Sequence, residues 1–297
     1  MGLLTEAIKT LPDVEGGFIS SGHVRYSTTG SNNPKNIQPL VIHYQGGDMA
    51  VAHNGNLTNA LALRRELEDN GSFFQTTMDS EVIVNLIARS KAANTEDRII
   101  EAVRRIEGAF SLVISTNDKL IGVRDANGFR PLCLGKTEHG YVLSSETCAL
   151  DAIKAEFIRH IEPGEMVIID DNGVRSRLFV ESGKEINKAL CVFEYIYFAR
   201  SDSEIDGQSV YQARLNMGRE LARETKYDAD LVMSIPDSGT TAALGYARES
   251  GIPFGEGLIK NRYMGRTFIK PDQAQRELAV RMKLNAVAMW LKVNVSS

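Results

Sequence analysis

The chain has 297 residues, enough for two domains of ordinary size or one large one, and its 43% hydrophobic and 24% charged residues suit substantial cores. No uncharged apolar run approaches the roughly 18 residues of a membrane span, and the start MGLLTEAIKTLPD lacks a secretory pattern, so the expectation is a cytoplasmic protein. A net charge of −4 without a long basic block gives no electrostatic reason for nucleic-acid binding, and Cys133, Cys148 and Cys191 do not make a disulfide framework.

In chain order, Met49–His53 reads as a strand running into a turn at Asn54-Gly55. Thr58 or Asn59 then caps a helix carrying Leu61, Leu63 and Leu67. Residues 80–91 form a second helix with Val82, Ile83, Leu86 and Ile87 as its apolar stripe. Thr95 caps a third, with Ile99, Val103 and Ile106 on one face and Gly108 just past its end. Strands are expected near 109–115, 119–124, 141–145, 166–170 and 174–180, the last two joined by the hairpin signal DDNG. Helices between antiparallel strands suggest a layered α+β domain. From about residue 190 the pattern changes. QSVYQARLNMGRELARETKY is a helix with Val210, Leu215 or Met217, and Leu221 inward, and ADLVMSI is an apolar run typical of a buried parallel strand. PDSGTTAALGYARESGIP supplies a small-residue loop, a helix and a turn into FGEGLIK, so this part is one βαβ unit.

Several stretches can carry chemistry. In SGHVRYSTTG, Arg25 lies near His23 with hydroxyls at Ser27, Thr28 and Thr29, which suits a bound carboxylate; alone, it reads sooner as a surface arginine on a strand. In VAHNGNLTN, Asn54 and Gly55 can supply two donors to an oxyanion hole or form an ordinary turn. Asp79 of TTMDSE can cap its helix or hold an ammonium group. Cys191 alone reads as a buried structural thiol.

Taken together, GHVRYSTTG, AHNGNL and DSE, in this order and spacing, resemble the glutaminase domain of the amidophosphoribosyltransferase family. The resemblance continues through EGAFS, GVRDANGFRPLCLG, SSETCALD, EPGEMVIID, EYIYFARSDSEIDG, PDSGTTAALGYA and GLIKNRYMGRTFIKP, and covers residues 1–287. It implies an N-terminal-nucleophile glutaminase domain (layered αββα) at 1–187 and a partial α/β type I phosphoribosyltransferase domain at 188–287. The implied activity makes 5-phosphoribosylamine from glutamine-derived ammonia and phosphoribosylpyrophosphate, at the start of purine synthesis. An N-terminal cysteine would attack the glutamine amide with its own amino group as base.

Carried over by position, Arg25 with Thr28 beside it would bind the glutamine carboxylate and Asp79 its ammonium. Asn54 and Gly55 would form the oxyanion hole. Ser238 matches a magnesium-associated serine, on a loop leading into a helix N-terminus that suits an anion. Lys260, Arg262, Arg266 and Lys270 would provide positive charge for phosphates; without the resemblance they read as a solvated charged loop. Cys191 matches the first of four ligands to a [4Fe–4S] cluster in one subgroup. Cys133 and Cys148 match none, so a cluster is expected only in a full-length parent. A homo-oligomer is implied for that parent.

Two departures shape the expectation for activity. The nucleophilic cysteine should precede Met1, and the main phosphate loop should follow residue 287, so the chain reads as truncated at both ends and inactive alone. One permitted spelling of Ala288–Ser297, shifted by two bases, reads Asn-Val-Val-Glu-Gly-Lys-Arg-Val-Ile, the continuation that the resemblance implies; the last ten residues are expected to be a frameshifted tail. The alternatives are a catalytically silent relative and a glutamine-dependent sugar-phosphate aminotransferase. The second is disfavoured by PDSGTTAALGYA and KNRYMGRTFI, which have no place in a sugar-isomerase half.

Overall fold

A computed structural model describes residues 17–24, 33–180, 186–263 and 273–287. Arg25, Thr28, Arg266, Lys270 and the tail Ala288–Ser297 lie outside the described residues. The chain divides into two compact units: Met1–Leu134 with His139–Ser145 and Ile161–Leu190, and Gly135–Glu138 with Glu146–His160 and Cys191–Ser297.

The elements begin with β1 (Leu40–Tyr44), β2 (Gly47–Leu57), α1 (Ala60–Asp69), α2 (Ser80–Arg89) and α3 (Thr95–Val103). There follow β3 (Gly108–Thr116), β4 (Leu120–Arg124), β5 (Cys133–Thr137), β6 (Gly140–Ser144), α4 (Thr147–Ala152), β7 (Glu156–His160), β8 (Glu165–Asp170) and β9 (Gly173–Leu178). In the first unit a six-stranded sheet runs β1-β2-β3-β4-β8-β9, every neighbour antiparallel. Alternation along the strands gives each face its own core. Met49, Val51 and Leu57 of β2, Phe110, Leu112 and Ile114 of β3 and Ile121 and Val123 of β4 pack with Val82, Ile83, Leu86 and Ile87 of α2. On the other face Val113 and Ile169 join Leu132, Leu134, Ile161 and Val167.

Local chemistry accounts for most boundaries and for the departures from expectation. The third helix is capped by Asn94, whose side chain accepts from Asp97 N at 2.8 Å, rather than by Thr95, which becomes the first helical residue. Leu63 and Leu67 of α1 are buried, but Leu61, two positions from Leu63, falls on the opposite side and is 63% exposed. Asn54-Gly55 is not a turn. Strand β2 continues through both, pairing Asn54 with Ser111, Gly55 with Phe110 and Leu57 with Gly108.

In the second unit a π-helical turn (Glu194–Phe198) leads to the short hairpin β10 (Glu204–Ile205) and β11 (Gln208–Ser209), then to α5 (Val210–Glu224) and α6 (Thr240–Ser250). β12 (Leu258–Lys260), α7 (Gln273–Lys283) and β13 (Leu284–Ala286) complete it, β12 and β13 pairing antiparallel. Helix α5 buries Val210, Ala213, Leu215, Gly218 and Ala222; of the alternatives Leu215 and Met217 it is Leu215 that turns inward, with Met217 37% exposed, and Leu221, expected inward, is 53% exposed. The reason is the closeness of α6: a Cβ on Gly218 would stand 1.8 Å from Ala242 O, and one on Gly245 would stand 2.0 Å from Leu215 O. Helices this close select the smallest residues for the seam. The run ADLVMSI is not a buried strand; among the described residues it makes one parallel bridge, Val232 to Phe254, and leaves Ile235 69% exposed.

Candidate functional site

The C-terminal half of β2 presents a row of backbone donors, and its register decides where they point. Thr58 N donates to Glu107 O at 2.8 Å, and Asn56 and Asn54 lie opposite Ala109 and Ser111, so even-numbered amides face β3. Amide direction alternates along a strand, which turns the N–H groups of His53, Gly55 and Leu57 to the other edge. Consistent with this, Phe110, opposite Gly55, spends its own N–H and C=O on Asp125. Strand β1 pairs with β2 only as far as Leu40, opposite Val51, so no described strand covers that edge beyond it. His53 N donates to Gln38 Oε1 at 2.7 Å and Leu57 N to Asp79 Oδ2 at 2.9 Å. Between them the Gly55 N–H has no hydrogen-bond partner among the described residues.

Only glycine fits there. Its φ is 155°, and a Cβ would lie 2.0 Å from Ala109 O. Asn54 is half-buried, and alternation sets its side chain on the face away from His53, beside Ser111. Asp79 begins α2, accepts from Ser80 N at 2.9 Å through Oδ1, and is 13% exposed at its side chain. It therefore does cap its helix, and the same carboxylate ties that helix to the strand edge. An open N–H and a carboxylate thus share one edge, two residues or roughly 7 Å apart along the strand. The first can stabilise developing negative charge on an oxygen, the second can hold a cation.

Behind the carboxylate lie residues not singled out by sequence. His53 is buried, with Nδ1 3.1 Å from Ser80 Oγ and 3.7 Å from Asp79 Oδ1. Burial pushes its pKa down, the Asp79 charge opposes this, and Arg130 adds to the lowering. The alternation Met49, Val51, His53 was the available signal, since it puts the imidazole on the core side.

In the second unit, exposed Ser238 sits just ahead of α6, and Lys260 at the end of β12 pairs with its neighbour Asp237. Arg262 is exposed. Among the described residues no group of three or more His, Cys, Asp or Glu side chains could hold a metal ion. Cys191 is half-buried rather than buried, and all three cysteines are free. One such thiol, with Cys133 and Cys148 buried elsewhere and donating to Ser144 O and Glu146, does not supply the roughly four ligands of a cubane cluster.

Comparison with known proteins bears on this geometry. Residues 23–152 match a family model described as a glutamine amidotransferase domain. The chain is 51% identical over 293 residues to an amidophosphoribosyltransferase of Archaeoglobus fulgidus, covering 97% of itself and 63% of that protein. With the one from Bacillus subtilis the identity is 49%, over 96% of this chain and 60% of the relative. The solved structure of the glutamine phosphoribosylpyrophosphate amidotransferase from B. subtilis, complexed with ADP and GMP, superposes with a TM-score of 0.80 at 48% identity, over 89% of this chain and 57% of that one. The class is therefore an α+β N-terminal-nucleophile glutamine amidotransferase domain followed by part of an α/β phosphoribosyltransferase domain. Over the part it spans, the chain is similar to amidophosphoribosyltransferases, an enzyme family, along 96–97% of its own length in these two comparisons. It spans 60–63% of the length of these two curated relatives. No described helix is long and apolar enough to cross a membrane.

Proposed function

We propose that the chain is the glutamine-binding part, with a portion of the phosphoribosylpyrophosphate-binding part, of a cytoplasmic amidophosphoribosyltransferase. That reaction takes glutamine, water and phosphoribosylpyrophosphate to 5-phosphoribosylamine, pyrophosphate and glutamate, the first step of purine synthesis. The open Gly55 N–H beside the Asp79 carboxylate carries the proposal, because one edge then offers a donor for the amide oxygen and an acceptor for the ammonium of one small amino acid. Asn54 supplies the second oxyanion donor, and Arg25 with Thr28 takes the carboxylate. In the second unit Ser238 and the cations Lys260, Arg262, Arg266 and Lys270 serve the phosphates. Magnesium fits such a place, since it is held chiefly by substrate phosphates with few protein oxygens, and Asp237 and Ser238 are hard oxygen donors ahead of a helix N-terminus. When bound it would neutralise phosphate charge.

The test is calorimetry with L-glutamine. Removing one partner of a desolvated charge pair costs about 2–5 kcal/mol, so Asp79→Asn and Arg25→Ala should each weaken binding by more than about thirtyfold. An unchanged affinity for Asp79→Asn would remove this carboxylate from the site.

A further inference from the structure

His53 has no role in the scheme above, yet its buried ring stands 3.7 Å from the carboxylate that the scheme depends on. Its side chain is 1% exposed, and Ser80 is completely buried. The Ser80 hydroxyl has two candidate acceptors for its single proton: His53 Nδ1 at 3.1 Å and Asp79 Oδ1 at 3.5 Å. Gln38 Nε2 approaches Ser80 Oγ at 3.5 Å as a donor, so the Ser80 proton is not needed toward Gln38. The Ala109 carbonyl oxygen stands on the Nε2 side of the ring, close to Gly55, although Nε2 makes no hydrogen bond of full geometry with any described residue. That placement favours the tautomer protonated at Nε2. It leaves Nδ1 as an acceptor, and the shorter contact then takes the Ser80 proton.

We propose that His53 and Ser80 form a proton-operated control on the ammonium site at Asp79. With the ring neutral, Ser80 donates to His53, and Asp79 Oδ1 keeps a lone pair beyond its bond from Ser80 N for an incoming ammonium. With the ring protonated, Nδ1 becomes a donor to Ser80 Oγ at 3.1 Å, and the imidazolium charge stands 3.7 Å from Asp79 Oδ1. The Ser80 proton, displaced from the ring, then turns to Asp79 Oδ1 at 3.5 Å, and the imidazolium supplies a built-in cation that competes with the ligand's. His53 is thus a positioning residue acting through Asp79. The inference rests on the reading that Asp79 takes the amino group of the substrate.

The charged groups facing the ring are Asp79, from the start of α2, and Arg130, beyond β4. Burial and Arg130 favour the neutral ring and Asp79 the charged one, and burial dominates. Control should therefore operate below the ordinary imidazole range, with affinity flat at neutral pH.

The experiment is calorimetry of L-glutamine on the whole chain between about pH 5 and 8, paired with nitrogen-15 spectra of the His53 ring. The expected result is a ring protonated at Nε2 at neutral pH, and affinity that falls about tenfold per pH unit below the ring's own titration. His53→Asn, which keeps a neutral acceptor and cannot take up a proton, should flatten that acid limb. His53→Phe should weaken binding at neutral pH by freeing the Ser80 proton for Asp79, and adding Ser80→Ala should recover part of the loss. A flat wild-type profile through the ring's titration, or an acid limb kept in His53→Asn, overturns the proposal. If Asp79→Asn leaves glutamine affinity unchanged, or glutamine does not bind, the ammonium reading itself fails and the control falls with it. An Asp79→Asn that abolishes binding beside a flat pH profile rejects the control alone.

Discussion

Gly55 combines two demands that no other residue meets: an extended backbone at a φ of 155° and contact with the neighbouring strand's carbonyl. In Gly55→Ala the new methyl would sit 2.0 Å from Ala109 O, a backbone atom fixed in the β2–β3 ladder, so the strands must part locally. Overpacking of this kind costs about 1–3 kcal/mol, and the unfavourable φ adds to it; the alanine gain in chain entropy, about 0.4–1 kcal/mol, is smaller. Urea denaturation should show a lowered midpoint with an unchanged slope. A midpoint equal to wild type would mean that the ladder yields easily there. Local signals made Gly55 and Asp79 candidates, one as turn or donor and the other as cap or ammonium holder, and only the resemblance chose between those readings. His53 escaped because its neighbours Gln38 and Ser80 are 15 and 27 residues away, and the acceptor competition exists only once they meet.

At the scale of elements, the seam between α5 and α6 shows how packing overrules propensity. Gly218→Ala or Gly245→Ala would gain up to about 1 kcal/mol of helix propensity at either position. Each methyl, however, would meet the facing helix's backbone carbonyl at 1.8 or 2.0 Å, and helices cannot yield by moving one side chain. We expect net destabilisation of about 1–3 kcal/mol for either substitution, read as a lower thermal midpoint. A raised midpoint would show that the seam opens without cost. The same seam explains what the sequence concealed. A search for a stripe of large apolar residues puts Leu221 inward and leaves Leu215 and Met217 as alternatives, whereas the helix buries Ala213, Leu215, Gly218 and Ala222, with Gly218 at the close approach. Helix α2 was legible throughout because Val82, Ile83, Leu86 and Ile87 face an ordinary core. The continuation of β2 through Asn54-Gly55 was not, because that pair is also the commonest hairpin turn signal and only the partner strand β3 decides between them.

Over the larger body of the first unit, an ionic network ties the start of α3 to the β8–β9 hairpin and β4. Glu96 receives Lys119 at 3.0 Å and pairs with Arg175, which also binds Asp170 at 2.5 Å, while Asp97 pairs with Arg177 at 2.8 Å. Burial raises the Glu96 pKa, but hydrogen bonds from Lys119 and Arg175 outweigh it, so the carboxyl titrates below its ordinary value. Hydrogen bonds from Arg177 and from Arg175 hold Asp97 and Asp170 low in the same way. Folded values below the unfolded ones mean stability that is complete above the ordinary carboxylate range and is lost as pH falls through the folded values. Thermal midpoints should therefore drop on acidification below about pH 4, and Glu96→Gln should flatten that drop while lowering the midpoint at neutral pH. Added salt should weaken the effect, since the arginines are 40% exposed. An acid slope identical in Glu96→Gln would assign the loss to other groups.

The uncovered edge of β2 has one more consequence. A bare strand edge is a template on which a second polypeptide can align, because its donors and acceptors recur in a row. Here the row is broken: Gln38 and Asp79 occupy the donors on either side of Gly55, and neither belongs to a strand laid along that edge. Among the described residues, what remains between them is the Gly55 N–H, flanked by side chains. A lone oxygen can reach an N–H so placed, whereas an extended backbone would first have to displace both side chains, which disfavours strand-by-strand pairing at this place.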